Sequence, residues 1–104
     1  MAFLIQASAN VPDWDSFEKA CDWLHEQFDP PPPGFLTFRV MRGADDPSRM
    51  TILEEWESQE QFQEAFAKYD QTHRMEFLDR AGISADSFER ALWNESGIEV
   101  RRGG

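Results

Sequence analysis

Residues 34–58 read GFLTFRVMRGADDPSRMTILEEWES, and this stretch decides the fold. It contains two runs rich in aromatic and β-branched residues, Phe35 to Arg42 and Met50 to Glu55, which predict two strands. The six residues between them, 43–48, are Gly, Ala, Asp, Asp, Pro and Ser, a composition typical of a hairpin connection. The stretch therefore predicts a β-hairpin near the centre of the chain.

A helix is predicted to start directly after this hairpin. Ser58 is a natural N-cap, and Gln61 three residues later completes the spacing of a capping box. The second strand of the hairpin ends in a large aromatic residue, Trp56, just before the helix begins. This position places Trp56 at the rim of a sheet, where a pocket could form.

A strand and a helix are predicted ahead of the hairpin. Residues 2–9 carry no charge and alternate weakly between apolar and polar, which indicates a strand. Asp13 or Asp15 can cap the helix that follows, from about residue 14 to residue 28. Its apolar residues fall at helical spacing: Trp14, Phe17, Cys21, Leu24 and Phe28. Four consecutive prolines, 30–33, end this helix.

The C-terminal half predicts a long helix, a short helix and a strand. The long helix carries an aromatic stripe that comprises Phe62, Phe66, Tyr69, His73 and Phe77. The polar residues 70–72 leave two alternatives, one kinked helix or two helices, before Gly82 ends the segment. A short helix from Ser84 to Leu92 and a last strand from Ile98 to Arg101 complete the predicted order.

This order of elements is that of a ferredoxin-like α+β fold, the split βαβ arrangement with a four-stranded antiparallel sheet. Right-handed crossovers would place both main helices on one face of the sheet. The strands are apolar on both sides, with Leu36, Phe38 and Val40 opposite Phe35 and Met41. Since no helix covers the second face, we expect a homodimer in which two sheets pack against each other.

Composition narrows the classes of partner. The chain has 104 residues, which predicts a single domain over 1–104. Its formal net charge of -10 disfavours binding to nucleic acid or to anionic membranes. The first residues lack a basic region and a long apolar run, so we expect no signal peptide or transmembrane helix and a cytoplasmic location. The single cysteine, Cys21, is interpreted as a small buried hydrophobe rather than a nucleophile.

The hairpin and the helix after it resemble the antibiotic biosynthesis monooxygenase family of dimeric α+β barrels. The resemblance is carried by Gly34-Phe35, Asp45 to Arg49, Glu55 to Ser58, Phe62 and His73. The resemblance implies a dimeric barrel, but it leaves several activities open, because one fold hosts many functions. The family includes cofactor-independent oxygenases of phenolic and quinol substrates, haem-degrading oxygenases and polyketide cyclases.

The haem-degrading branch fits this sequence poorly. That branch has Asn on the first strand, where this chain has Ala7 or Gln6, and Trp in the long helix, where it has Ala65. His73 lies on the corresponding element but out of register. The second histidine, His25, stands among acidic residues on what is interpreted as a solvated helix face. We therefore expect no haem, no other cofactor and no metal site.

Residues near Trp56 form the predicted site. Trp56 and His73 are the candidate catalytic residues. His73 would act as a general base beside an acid, Glu76 or Glu54, and Trp56, Arg39 or Gln6 would hold the resulting anion. The candidate substrate-binding residues are Tyr69, Arg39, Gln6, Phe62 and Phe66. Structural alternatives stay open: Trp56 could pack strand against helix, His73 could be a half-buried histidine, and Arg39 could pair with Glu54.

Two functions follow from these residues and from the resemblance. The first is a cofactor-independent monooxygenase, or a related cyclase, that acts on a planar aromatic molecule such as a phenol or quinol. The second is a non-catalytic small-molecule-binding or stress-related dimer on the same scaffold. Trp56 and His73 favour the enzyme. Ile52 and Phe62, which replace the Asn and Tyr of the quinol oxygenases, favour the second function.

Overall fold

The computed structural model describes residues 2–103, except for the side chains of residues 69–72. Its elements are β1 (Phe3–Asn10), α1 (Trp14–Gln27), β2 (Phe35–Arg42), β3 (Arg49–Trp56), α2 (Gln59–Ala81), a short 3₁₀ turn (Ala85–Ser87) and β4 (Glu89–Asn94). The four strands form one antiparallel sheet in the order β2-β3-β1-β4. The predicted ferredoxin-like α+β fold is confirmed. Within residues 2–103, no helix is long and apolar enough to span a membrane.

The predicted helix ends are largely confirmed. Asp13 caps α1 by accepting a hydrogen bond from the backbone N–H of Asp15. Ser58 caps α2 and accepts from the backbone N–H of Gln61 at 3.1 Å. Gly82 ends α2 in the left-handed conformation, with φ of 70°, which glycine adopts without steric cost. Of the two alternatives for residues 59–81, one continuous helix is correct.

The predictions for the C-terminal segment were wrong. Only the 3₁₀ turn at Ala85–Ser87 is helical within the predicted helix, and Glu89–Asn94 is the fourth strand. Its pairing with β1, in which Leu92 lies opposite Ile5, overrides the local pattern. A short apolar run such as this one fits both the helical and the strand periodicity, and long-range pairing decides which structure forms. Residues 98–101 form no strand, and Ile98 and Val100 are exposed.

The two faces of the sheet differ. The alternation of β1 directs Phe3, Ile5, Ala7 and Ala9 toward the helices, where the buried core lies. The opposite face, here called the open face, is mixed rather than continuously apolar. Its residues include Leu4, Gln6, Arg39, Met41, Leu53, Glu55 and Trp93. An irregularity in β2 between Phe35 and Thr37 places Phe38 and Val40 on the helix side and Met41 on the open face.

Candidate functional site

A cavity of about 720 Å³ lies between the sheet and the two helices. Strands β1 and β3 form its floor, and α1, α2 and the proline-containing connection after α1 form its walls. Most of its lining is apolar and aromatic, and six of these residues are Trp56, Phe35, Phe38, Phe62, Phe66 and Phe77. A volume of this size accommodates a small planar molecule.

Two buried clusters bound the space in which this cavity lies. One comprises ten buried residues and includes Phe17 on α1, Met50 on β3 and Ala81 on α2. The other is small, with Phe3, Ile5 and Trp56. The alanines Ala7 on the floor and Ala65 on α2 line the cavity with short side chains. The space between the sheet and the helices is therefore closely packed at the end that holds the ten-residue cluster, here called the closed end. It holds the cavity at the end near Trp56, here called the open end.

Trp56 is held in a cluster of rings at the open end. Its ring lies 5.5 Å from that of Phe35 and 5.6 Å from that of Phe62, both at edge-to-face angles that aromatic pairs favour. Trp56 is only 4% exposed, so packing fixes its rotamer. Trp56 thus packs the end of β3 against α2 and also lines the cavity.

Glu54 is a carboxylate in this mainly apolar cavity. Its Oε1 accepts a hydrogen bond from Trp56 Nε1 at 2.8 Å. Burial raises the pKa of the Glu54 carboxyl, and the Trp56 hydrogen bond and the charge of Arg90 oppose that shift. The side-chain hydrogen bond found for Glu54 among the described residues involves Oε1, and no buried, unsatisfied side-chain oxygen is found there. Glu54 itself is among the residues that line the cavity.

Arg90 lies diagonally across the cavity floor from Glu54. In the sheet, Ile5 pairs with Glu54 on β3, while Ala7 pairs with Arg90 on β4. Both charged residues therefore flank β1 on the helix side, and both line the cavity. The floor presents an acceptor at one corner and a cationic donor at the other.

Two more ionisable residues reach the cavity from the helices. Arg74 on α2 is half-buried, and its guanidinium carbon lies 5.7 Å from the centroid of the Phe66 ring. His25 on α1 packs edge-to-face on Phe38, with ring centroids 4.8 Å apart. His25 is exposed to solvent, as its interpretation on a solvated helix face predicted, and it also lines the cavity.

The structure divides the predicted site residues. Trp56, Phe62 and Phe66 line the cavity. The ring of His73 instead packs 6.2 Å from that of Trp23 and 5.5 Å from that of Phe28, and His73 is not among the cavity-lining residues described. Tyr69 lies outside the side chains that the structure describes, so its predicted role stays a prediction.

Gln6 and Arg39 lie on the open face, on the opposite side of the sheet from the cavity. Side chains alternate along a strand, so Gln6 and Arg39 share their side with Leu53, with which each of them is paired. Gln6 accepts a hydrogen bond from Trp93 Nε1 at 3.1 Å. The alternative in which Arg39 pairs with Glu54 was wrong, because those two side chains leave opposite faces.

The sequence reasoning missed Arg74, Arg90 and His25 as cavity-lining residues, and it named Glu54 only as an acid beside His73 or as a partner of Arg39. Glu54 could have been found, because a strand that directs Trp56 inward also directs the residue two positions earlier inward. Arg90 could not be identified as a cavity residue, since its segment was predicted as a helix. Arg74 adjoins His73 along α2, so identifying it required the rotation of the helix about its axis.

Cys21 is half-buried on α1, and its thiol is poorly suited to nucleophilic chemistry. Burial, reinforced by the charges of Asp22 and Glu18, raises the pKa of this thiol to about 11. It is therefore protonated at neutral pH, in agreement with its interpretation as a small hydrophobe. Among the described residues, no three His, Cys, Asp or Glu side chains are grouped so that they could hold a metal ion.

The chain belongs to the antibiotic biosynthesis monooxygenase family, whose sequence model matches residues 14–77. The matched segment contains α1, the hairpin and most of α2, and therefore most of the cavity walls. No curated protein sequence matches the chain.

Solved structures share the fold at low sequence identity. A conserved protein from Methanosarcina mazei Go1 superposes with a TM-score of 0.72 at 18% identity, covering 92% of this chain and 94% of that one. A Nitrosomonas europaea protein that carries the family's name gives 0.69 at 20% identity, with 92% and 91% covered. SnoaB from Streptomyces nogalater, a cofactor-independent oxygenase, gives 0.69 at 16% identity, with 93% and 94% covered. At these identities, the likeness shows the fold.

Proposed function

We propose that this protein is a cofactor-independent monooxygenase that acts on a planar aromatic molecule bearing a hydroxyl group, bound in the cavity. The observation that carries the proposal is the carboxylate of Glu54 within an aromatic-lined cavity of about 720 Å³. Membership of the family and the similarity in fold to SnoaB, a cofactor-independent oxygenase, support this reaction class.

Glu54 is proposed as the proton acceptor. Trp56 Nε1 holds one carboxylate oxygen, Oε1, and the other oxygen, Oε2, is proposed to receive a proton from a substrate hydroxyl. The raised pKa of the carboxyl makes it a stronger base than an exposed glutamate, which suits proton transfer near neutral pH. This role replaces the one predicted for His73, whose described ring contacts are with Trp23 and Phe28.

Arg90 is proposed to hold the oxyanion that this proton transfer leaves. Its positive charge on the cavity floor stabilises negative charge on the substrate. The electron-rich anion then reacts with O₂. One oxygen atom becomes a new carbonyl, and the other leaves as water together with the hydroxyl hydrogen and the ring hydrogen that are lost. A phenol plus O₂ thus gives a quinone plus water, with no external reductant.

A non-catalytic binding protein is the second candidate. The cavity lining beside Trp56 is apolar at Ile52 and Phe62, so fewer donors point at developing charge there than in the quinol oxygenases that the chain resembles. This candidate uses the same cavity and predicts binding of aromatic molecules without oxygen consumption.

Oxygen uptake with 1,5-dihydroxynaphthalene separates the two candidates. The enzyme consumes one O₂ per quinone formed and releases no peroxide, whereas the binding protein shows only the uncatalysed background. Glu54→Gln is expected to lower the catalysed rate about 100-fold, as loss of a general base does. Its matched control is Glu55→Gln, because Glu55 lies on the open face and interacts with Thr37.

Three results would overturn parts of this assignment. No catalysed uptake would refute the enzyme. Equal loss in the Glu54 and Glu55 variants would refute the special role of Glu54. Full activity in Glu54→Gln combined with loss in His73→Ala would restore His73 as the base.

We further propose that the protein is a homodimer that buries the open face of the sheet. This face exposes Met41 and Trp93, which are 42% and 55% exposed, beside the half-buried Leu4 and Leu53. Light scattering is expected to give twice the chain mass of 12.1 kDa. Trp93→Asp should shift the mass toward one chain, whereas Met75→Asp, an exposed change on α2, should not. A monomeric wild type at micromolar concentration would contradict the dimer.

A further inference from the structure

Arg74 brings a positive charge from α2 into the cavity. It lies two turns after Phe66 and one turn before Phe77 and Leu78, and all four line the cavity. Its guanidinium lies near the Phe66 ring, and the residue is half-buried. The ring contact and partial burial fix the direction in which this side chain reaches.

Arg74 has no carboxylate partner among the side chains that the structure describes. The ion pairs found there involve Arg49 with Glu89, Arg80 with Glu76, and Arg101 with Glu99. Within the described residues, the charge of Arg74 is therefore available to a ligand. A guanidinium group binds a carboxylate through two parallel hydrogen bonds, a geometry that neutral donors do not match.

The other cationic groups of the cavity are less suited to a carboxylate that the substrate carries in addition to its hydroxyl, since Arg90 is the group proposed to hold the oxyanion. Arg90 already interacts electrostatically with the carboxylate of Glu54. His25 shares α1 with Asp22 and Glu26, and Asp29 follows the helix; all three acids also line the cavity. These three exposed acids repel a ligand of high negative charge. For a ligand with a single carboxylate, the attraction to Arg74 outweighs the repulsion by these acids.

We propose that Arg74 binds a carboxylate on the aromatic substrate, so that the substrate class is planar aromatic carboxylic acids rather than neutral arenes or phosphate esters. This inference rests on the proposed function, since it assigns the carboxylate of the substrate to one end of the same cavity. The hydroxyl of the substrate faces Glu54 and its carboxylate faces Arg74, which gives the molecule a single orientation.

Binding measurements with three probes test this assignment. The probes are 1-naphthol, 1-hydroxy-2-naphthoate and 1-naphthyl phosphate, titrated by calorimetry against the wild type, Arg74→Gln, Arg74→Lys and Arg80→Gln. Arg80 is the matched control because it lies on the same helix, carries the same charge, stacks 4.4 Å from the Trp23 ring and pairs with Glu76. Circular dichroism checks that each variant is folded.

The wild type is expected to bind hydroxynaphthoate about tenfold more tightly than naphthol, and the phosphate more weakly than hydroxynaphthoate. Arg74→Gln should remove that preference and leave naphthol binding unchanged. Arg74→Lys should keep part of the preference, and Arg80→Gln all of it. A merely structural role for Arg74 would weaken the binding of all probes alike.

The failures are distinguishable. If naphthol binds but hydroxynaphthoate is not preferred, or if Arg74→Gln keeps the preference, the carboxylate assignment is wrong and the proposed function stands. Tightest binding of the phosphate also refutes it. If none of the probes binds the wild type, both this inference and the proposed function fail.

Discussion

The two ends of the layer between helices and sheet are packed in opposite ways. At the closed end, Ala20 on α1 and Ala81 on α2 are 1% exposed each, and their short side chains allow the helices to approach closely. Phe17 and Met50 fill the remaining space there, with exposures of 2% and 0%. At the open end, large rings such as Phe62 and Phe66 line a cavity instead of filling it. Residue size along two helices thus separates a region that supplies stability from one that is available to a ligand.

The largest expected effect is on the closed end. Phe17→Ala should lower the free energy of unfolding by about 3–5 kcal/mol, because it leaves a cavity that close-packed neighbours cannot fill. Phe66→Ala, at the open end, should cost only about 1 kcal/mol, because this side chain is already 38% exposed. Denaturant unfolding of both variants measures the difference. Equal costs would show that the two ends are packed alike.

A smaller effect is expected at Trp56. Trp56→Phe removes the hydrogen bond to Glu54 while keeping most of the ring contacts, and should cost about 1–2 kcal/mol. Because that hydrogen bond lowers the pKa of Glu54, the variant should raise this pKa further. Carbon-detected NMR titration of the Glu54 carboxyl measures the shift. An unchanged or lowered pKa would show that the indole does not hold the carboxylate.

The pH dependence of stability should have opposite signs at the two ends. Native Glu54 holds its proton to a higher pH than the unfolded chain does. Stability is therefore lost as the pH rises from about 4.3, the ordinary value for Glu, through the raised pKa. At the closed end, hydrogen bonds from Ser48 lower the pKa of Asp46, so its contribution is present above the ordinary Asp range and lost as the pH falls.

Glu54→Gln should remove the first of these trends and leave the second, and Asp46→Asn should do the reverse. Thermal unfolding from pH 3 to pH 8 measures both. If Glu54→Gln leaves the decline toward higher pH intact, burial of Glu54 is not its cause.

Much of the fold could be predicted because local chemistry specifies it. Ser58 and Gln61, the prolines after α1 and the left-handed Gly82 each act within a few residues, so the sequence alone places the ends of the helices. β4 could not be predicted, because its six residues become a strand only through pairing with β1. Local propensity cannot report such a contact when the partners lie about 85 residues apart.

The site was less predictable for a geometric reason. Trp56, Phe62 and Phe66 were found because aromatic residues beside a strand end point to a pocket. His73 and Arg74 are one position apart, and a step of about 100° on a helix decides which of them faces the cavity. Gln6 and Arg39 were placed on the wrong side of the sheet for the analogous reason, since one step along a strand reverses the face.

The central claim is that the open end holds a planar aromatic molecule, and a steric block tests it most directly. Ala65→Phe places a ring in the cavity, whereas Ala67→Phe adds the same ring at an exposed position of α2 that is not among the cavity-lining residues described. Calorimetric titration with 1-naphthol is predicted to show saturable one-to-one binding for the wild type and Ala67→Phe, and none for Ala65→Phe. Equal binding by all three proteins, or no binding by the wild type, would contradict the account.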